Sequence, residues 1–157
     1  MPDNQQVLTH AFQCIVGSLL YLATWTRPDL SYTVMALAQH NASPTRALLL
    51  TAKGVLRYLK GTRHWALTYG DVVCNDTITF SDVDWAMNQS DRKSVSGYAF
   101  YMFLGLVSWL SSKQKATALS STEAEYMAIT HVALWIQLFC RSVGLRFPRP
   151  LPLLSDN

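Results

Sequence analysis

The sequence predicts a mixed α/β fold: an α-helical segment, then a sheet of mixed strand direction with one crossover helix. Three observations predict it. Through the first 65 positions, apolar residues recur at three- and four-residue spacing. From residue 66 the texture changes to short runs rich in β-branched and aromatic residues, separated by Gly, Asn, Asp and Ser. From residue 77 the order reads strand, strand, strand, long helix, strand, so meandering neighbours are antiparallel and the last strand returns through a helix.

The elements follow from local rules. VLTHAFQCIVGSLLYLATWT has helical periodicity and stops before Arg27-Pro28. Pro28 disfavours helix at the residue before it and can open the next helix, PDLSYTVMALAQH. Asn41 to Pro44 is a break, with Ser43 as N-cap and Pro44 at the first helical position of PTRALLLTAKGVLRYLK, which ends at Gly61. The strand-like runs are ALTY (66–69), DTITFSDVDW (76–85), SGYAFYMF (96–103) and LVSWL (106–110). A long helix is expected from Ser120 to Arg141, closed by Gly144, and a short strand, LLSD, after Pro148, Pro150 and Pro152. The halves divide near 66–76, giving domains 1–70 and 71–157.

Composition narrows the class. A chain of 157 residues, half of them hydrophobic and 15% charged, suits a packed core and excludes a disordered polyelectrolyte. Residues 1–70 carry six basic and two acidic side chains, and residues 71–157 carry seven and eight. A basic first half beside an acid-centred second half suits a polyanionic partner, although solvated faces explain such a surplus equally well. Cys14, Cys74 and Cys140 are far apart and form no zinc spacing, so reduced thiols are expected. The apolar run Cys14–Trp25 is about a dozen residues against the roughly 20 of a membrane span. A soluble, intracellular protein of cytoplasm or nucleus, with no membrane partner, is the expectation.

Three acids stand out by position. Asp82 ends the run TITFSD, Glu123 opens STEAEYMAIT, and Asp156 ends LPLLSD. Acids at strand ends and a helix start can share one sheet edge and hold divalent metal for phosphodiester cleavage. Each also has a plain explanation. Asp82 and Asp84 share a strand face and could be solvated acids of a turn. Ser120-x-x-Glu123 is a capping box, with Thr122-x-x-Glu125 a second frame. Asp156 could be a polar end of chain.

The basic candidates are Lys53, Arg57 and Lys60, on one face of the third helix, and Arg92-Lys93 in the loop after the first acid. The tryptophans are spread out and read as core or lid, and mid-helix His131 as a packed residue.

The motifs VGSLLYLATWTRPDLSYTVMAL, AKGVLRYLKGT, SDVDWA, DRKSVSGY, SSKQ and ALSSTEAEYMA, with a strand ending in SDN, are in the order of the C-terminal part of a copia-type LTR-retrotransposon Pol polyprotein, which the chain resembles over nearly its whole length. The resemblance implies that residues 1–70 are the helical connection segment following a reverse transcriptase. Residues 71–157 would be the N-terminal part of a ribonuclease H-like domain, truncated at its C-terminus. It also implies that Asp82, Glu123 and Asp156 bind two ions of Mg²⁺ or Mn²⁺ and hydrolyse RNA in an RNA–DNA hybrid, told from DNA by its 2′-hydroxyls. The absent polymerase domains are implied as a further partner. Two departures stand out: Ala47-Leu48 where members carry His-Trp, and His131-Val132-Ala133-Leu134 where they carry a mid-helix glutamate. Two function classes stay open, a two-metal nuclease and a non-catalytic retroelement remnant that binds nucleic acid weakly. A transposase or integrase core shares the chemistry but usually takes its glutamate from a later helix.

Overall fold

The structure, a computed structural model, describes residues 3–70, 77–84, 93–102, 104–144 and 152–155. Its backbone separates into two compact units, Met1–Leu67 and Thr68–Asn157. The fold class is mixed α/β, as the sequence predicts.

Three α-helices and one 3₁₀ turn build the first unit: α1 (Asp3–Trp25), the turn Pro28–Leu30, α2 (Ser31–Ala38) and α3 (Arg46–Gly61). The core takes Phe12, Val16, Leu19 and Ala23 from α1, a stripe at helical spacing. Against it pack Leu30, Val34 and Leu37 from the turn and α2, and Ala52 and Val55 from α3. Thr45 caps α3, its side chain accepting from Leu48 N at 3.3 Å, so the expected Ser43–Pro44 start is corrected. The cap needs an extended backbone and a hydroxyl, and Thr45 supplies both while Pro44 is buried just outside the helix. The helix α1 is longer than the apolar run read from the sequence. Over Asn4–Trp25 it is long and apolar enough to cross a membrane by length and composition, which corrects the dozen-residue run; its buried side chains are Phe12, Val16, Leu19 and Ala23.

Arg27 ties this unit together. Its side chain is only 9% exposed and grips Asp29 through both carboxylate oxygens, at 2.9 and 2.8 Å. It also donates to the Thr62 hydroxyl at 2.7 Å and the Thr62 carbonyl at 3.3 Å. Tyr58 and Trp65 flank the guanidinium, with ring centroids 5.6 and 5.9 Å from its carbon. The turn after α1 is thereby tied to the end of α3. Trp65 and Trp25 are both more than half exposed, so of the core and lid alternatives the core is ruled out for them.

In the second unit, β1 (Thr77–Asp84), β2 (Val95–Met102) and β3 (Gly105–Lys113) form an antiparallel meander. The helix α4 (Ser121–Ser142) follows, and the two-residue β4 (Leu153–Leu154) lies parallel to β1, giving the order β3-β2-β1-β4. This is the mixed sheet expected of a ribonuclease H-like fold. Residues 66–69 form no strand; the Tyr69 hydroxyl instead donates to Leu106 O at 3.2 Å, and its ring fills the space a side chain at Gly105 would need. Leu104 joins β2 to β3 at a left-handed φ of 62°.

Every fourth residue of α4 is buried: Ala124, Ala128, Val132, Ile136 and Cys140. The alanines let the helix start approach the sheet closely, and the larger residues pack on Phe100 and Met102. Burial pushes the Cys140 thiol pKa up.

Replacing Arg27 by Ala should lower stability by about 2 kcal/mol, less than for a fully buried pair because Asp29 is partly exposed. The Arg27 guanidinium holds the Asp29 carboxyl below its ordinary pKa. The bond therefore stabilises at and above the ordinary value of about 4, and this is lost as pH falls through the lower folded value. Urea titrations between neutral pH and pH 3 should show the wild-type advantage over Arg27→Ala shrinking in acid; a constant gap would refute this account.

Candidate active site

The face of β1 on which each acid lies follows from its alternation. Thr77, Thr79 and Ser81 are buried on the α4 side, while Ile78, Phe80, Asp82 and Asp84 lie on the exposed face. Asp82 is opposite Gly97, the residue on β2 with no side chain to crowd it, and its Oδ1 accepts from Val83 N at 2.7 Å. Asp82 and Asp84 thus share one face, as the sequence reading expects. The strand runs two residues past Asp82 rather than ending there.

Glu123 sits in the first turn of α4 and is exposed. The first capping frame is the one used. Glu123 N donates to Ser120 Oγ at 3.1 Å, and Glu123 Oε2 accepts from Leu119 N at 2.6 Å. The reach is one residue beyond the N-cap, so the carboxylate folds back over the segment entering the helix. Asp156, with Arg92, lies outside the described residues. Among the described residues, no group of three or more His, Cys, Asp or Glu could hold a metal ion. Lys53, Arg57 and Lys60 are exposed on α3 in the first unit, and Lys93 is half-buried just ahead of β2.

A residue that the motif reading passed over links the two described acids' surroundings. The Gln114 side-chain amide donates to Ser96 Oγ at 2.7 Å and to Ala124 O at 2.9 Å. Its backbone N–H donates to Ser94 O at 2.8 Å. Ser96 pairs with Val83, the neighbour of Asp82, and Ala124 is the neighbour of Glu123. One glutamine therefore pins the start of α4 to the end of the sheet where Asp82 lies. Its signal in the sequence was the polar SSKQ run closing an apolar strand, which fits a solvated loop as well.

Replacing Gln114 by Ala should cost about 1–2 kcal/mol for two partly buried hydrogen bonds, and Ser120→Ala about 1 kcal/mol for the lost cap. Hydrogen exchange should speed up in the first turn of α4 in both variants; protection unchanged in Gln114→Ala would show that the glutamine does not pin the helix.

Comparison with known proteins identifies the lineage. The chain is 39% identical over 149 residues to the Retrovirus-related Pol polyprotein from transposon RE1 of Arabidopsis thaliana, covering 93% of this chain and 10% of that one. It is 37% identical over 139 residues to the Pol polyprotein from transposon TNT 1-94 of Nicotiana tabacum, covering 85% and 10%. It is also 41% identical over 129 residues to Secreted RxLR effector protein 161 of Plasmopara viticola, covering 80% of this chain and 91% of that protein. No family model and no solved structure matches. The chain spans about a tenth of the length of the Pol polyproteins it matches. By sequence along most of its length, it belongs to the retrovirus-related Pol polyproteins of copia-type retrotransposons.

Proposed function

We propose that the second unit is a ribonuclease H-type domain that cleaves the RNA strand of an RNA–DNA hybrid, with Asp82, Glu123 and Asp156 as its metal-binding acids. The observation that carries the reading is strand register. Thr79 pairs with Leu153 and Phe80 with Leu154 in a parallel ladder, and the same sequence offset separates Asp82 from Asp156. The Gln114 bonds hold the start of α4, and so Glu123, at the same end of the sheet, with Asp82 on the strand face turned away from α4.

The donor set suits a hard divalent cation. Asp82 and Glu123 are exposed carboxylates, each giving only one oxygen to a backbone N–H and keeping lone pairs for a ligand. Two ions of Mg²⁺ or Mn²⁺ would supply an activated water and neutralise charge on the leaving 3′ oxygen. Lys53, Arg57 and Lys60 offer cations to phosphates from the first unit, a sequence-independent contribution that added salt weakens. Arg92 and Lys93 are the second-unit candidates for the same role. The polymerase domains of the polyprotein remain the partner the family implies.

A non-catalytic nucleic-acid-binding remnant is the second reading, and one observation favours it. The Glu123 carboxylate already completes a capping box, which accounts for its presence without any ion.

Incubation of the folded chain with a labelled RNA–DNA hybrid and Mg²⁺ separates the two. The nuclease reading expects cleavage that Asp82→Asn and Glu123→Gln each reduce on the order of 10³-fold, the weight of several kcal/mol at a metal site. Equal cleavage by parent and variants would refute the assignment of the acids. A folded parent that binds hybrid in a salt-dependent way without cutting it would establish the remnant.

A further inference from the structure

We infer that His10 and Cys14 form an exposed chelating pair on α1 that takes a borderline or soft divalent metal ion such as Zn²⁺. The two residues are one helical turn apart, so α1 holds their side chains next to each other. The Cys14 Sγ and His10 Nε2 atoms are 3.7 Å apart. Ligand bonds of about 2.3 Å to sulfur and about 2.0–2.1 Å to nitrogen, opened to a tetrahedral angle, put the two ligand atoms about 3.6 Å apart. The pair therefore already has the spacing that one tetrahedral ion requires, with little side-chain movement left to make.

The surroundings suit an ion as well as a thiol–imidazole contact does. Both side chains are exposed and Cys14 is a free thiol, so an ion can reach them. The helix α1 carries no Lys or Arg, so no cation on it opposes one. Gly17 lies one turn past Cys14, and a Cβ there would meet nothing within 4 Å, which leaves room beside the thiol for the ion's other ligands. The neighbouring polar side chains are engaged elsewhere. The Gln13 amide donates to Asn41 O at 2.9 Å, and the Ser18 hydroxyl donates to the Cys14 carbonyl at 3.0 Å.

Donor chemistry selects the ion. Thiolate and imidazole are ligands of Zn²⁺, Co²⁺ and copper, whereas Mg²⁺ takes oxygen. The thiol gives up its proton to solvent as the sulfur binds. Among the described residues no third His, Cys, Asp or Glu joins the pair, so water completes the coordination. Such a site is open, and it exchanges its ion rather than holding the fold together. It belongs to the first unit and uses none of the three acids, so it does not rest on the nuclease reading.

The test is a titration of the reduced chain with Co²⁺, whose bond to a thiolate gives a near-ultraviolet charge-transfer band. The chain carries Cys74→Ser, which removes a thiol outside the described residues, and Cys140 is buried. The band should appear and saturate, then be bleached by Zn²⁺ but not by excess Mg²⁺. Cys14→Ser should abolish it. His10→Ala should weaken Co²⁺ binding roughly 100-fold, because the helix makes attachment of the second ligand intramolecular. Both positions are exposed, and far-ultraviolet circular dichroism checks that the variants stay folded. A band that persists in Cys14→Ser, an affinity unchanged by His10→Ala, or no band in the folded parent would overturn the proposal. Asp82→Asn should leave the band intact, which keeps failure of this site distinct from failure of the nuclease.

Discussion

One helix has to cover a sheet whose central strand turns Thr77, Thr79 and Ser81 toward it. Burying hydroxyls is costly without partners, and Thr79 Oγ1 and Ser81 Oγ have none among the described residues. The apolar contribution must therefore come from elsewhere, and it does. Phe100 and Met102 on β2 with Val132, Ile136 and Cys140 on α4 form the cluster that holds the second unit, and Leu153 on β4 packs against it. Val107 of β3 packs against the same cluster, so the helix draws on three strands for its apolar contacts. Because the buried stripe of α4 begins with Ala124 and Ala128, the start of α4 approaches the sheet closely enough for Gln114 to reach both.

The first unit solves a similar problem with charge. A guanidinium that is nearly buried is tolerable only when its donors are matched. Arg27 has a bidentate carboxylate, a hydroxyl and a carbonyl, with two aromatic faces around it. Tyr58 strengthens the arrangement by donating to Asp29 Oδ2 at 2.9 Å, and that bond raises its own pKa because losing the proton would set two negative groups together. The pair also explains why Arg27-Pro28 is more than punctuation: Pro28 opens the turn that brings Asp29 back to the arginine.

Much of this was legible in the residues. The fold class came from periodicity and element order, and the capping box at Ser120–Glu123 has its expected partners apart from a one-residue shift in what the carboxylate accepts. Other parts were not legible, for physical reasons. ALTY has strand composition, but strand propensity is a packing preference, and among the described residues no strand pairs with it; Tyr69 satisfies its hydroxyl on Leu106 instead. Pattern alone could not say which face of β1 is covered, since TITFSD alternates Thr and Ser with Ile and Phe, and the structure buries the polar set. Trp25 and Trp65 are large and apolar, yet helix ends and turns put them outside. The SSKQ run did not single out Gln114 because its partners are a serine hydroxyl and a helix carbonyl distant in sequence. Among the site residues, Asp82 and Glu123 can be located, while Asp156 and Arg92 lie outside the described residues.

The capping role of Glu123 does not compete with metal binding as strongly as it first suggests. A carboxylate has room for about four acceptor interactions, and the cap uses one. The cap also restricts the rotamers of a side chain that would otherwise lose freedom on binding an ion, so part of that ordering is already done in the free protein. A residue that starts a helix and presents a carboxylate near the end of the sheet where Asp82 lies can serve both purposes. What distinguishes the roles is geometry: Gln would keep the amide oxygen for the cap while weakening any metal bond, whereas Ala would remove both. The contrast between those two side chains at position 123 therefore separates a helix start from a ligand, using stability for one and cleavage for the other.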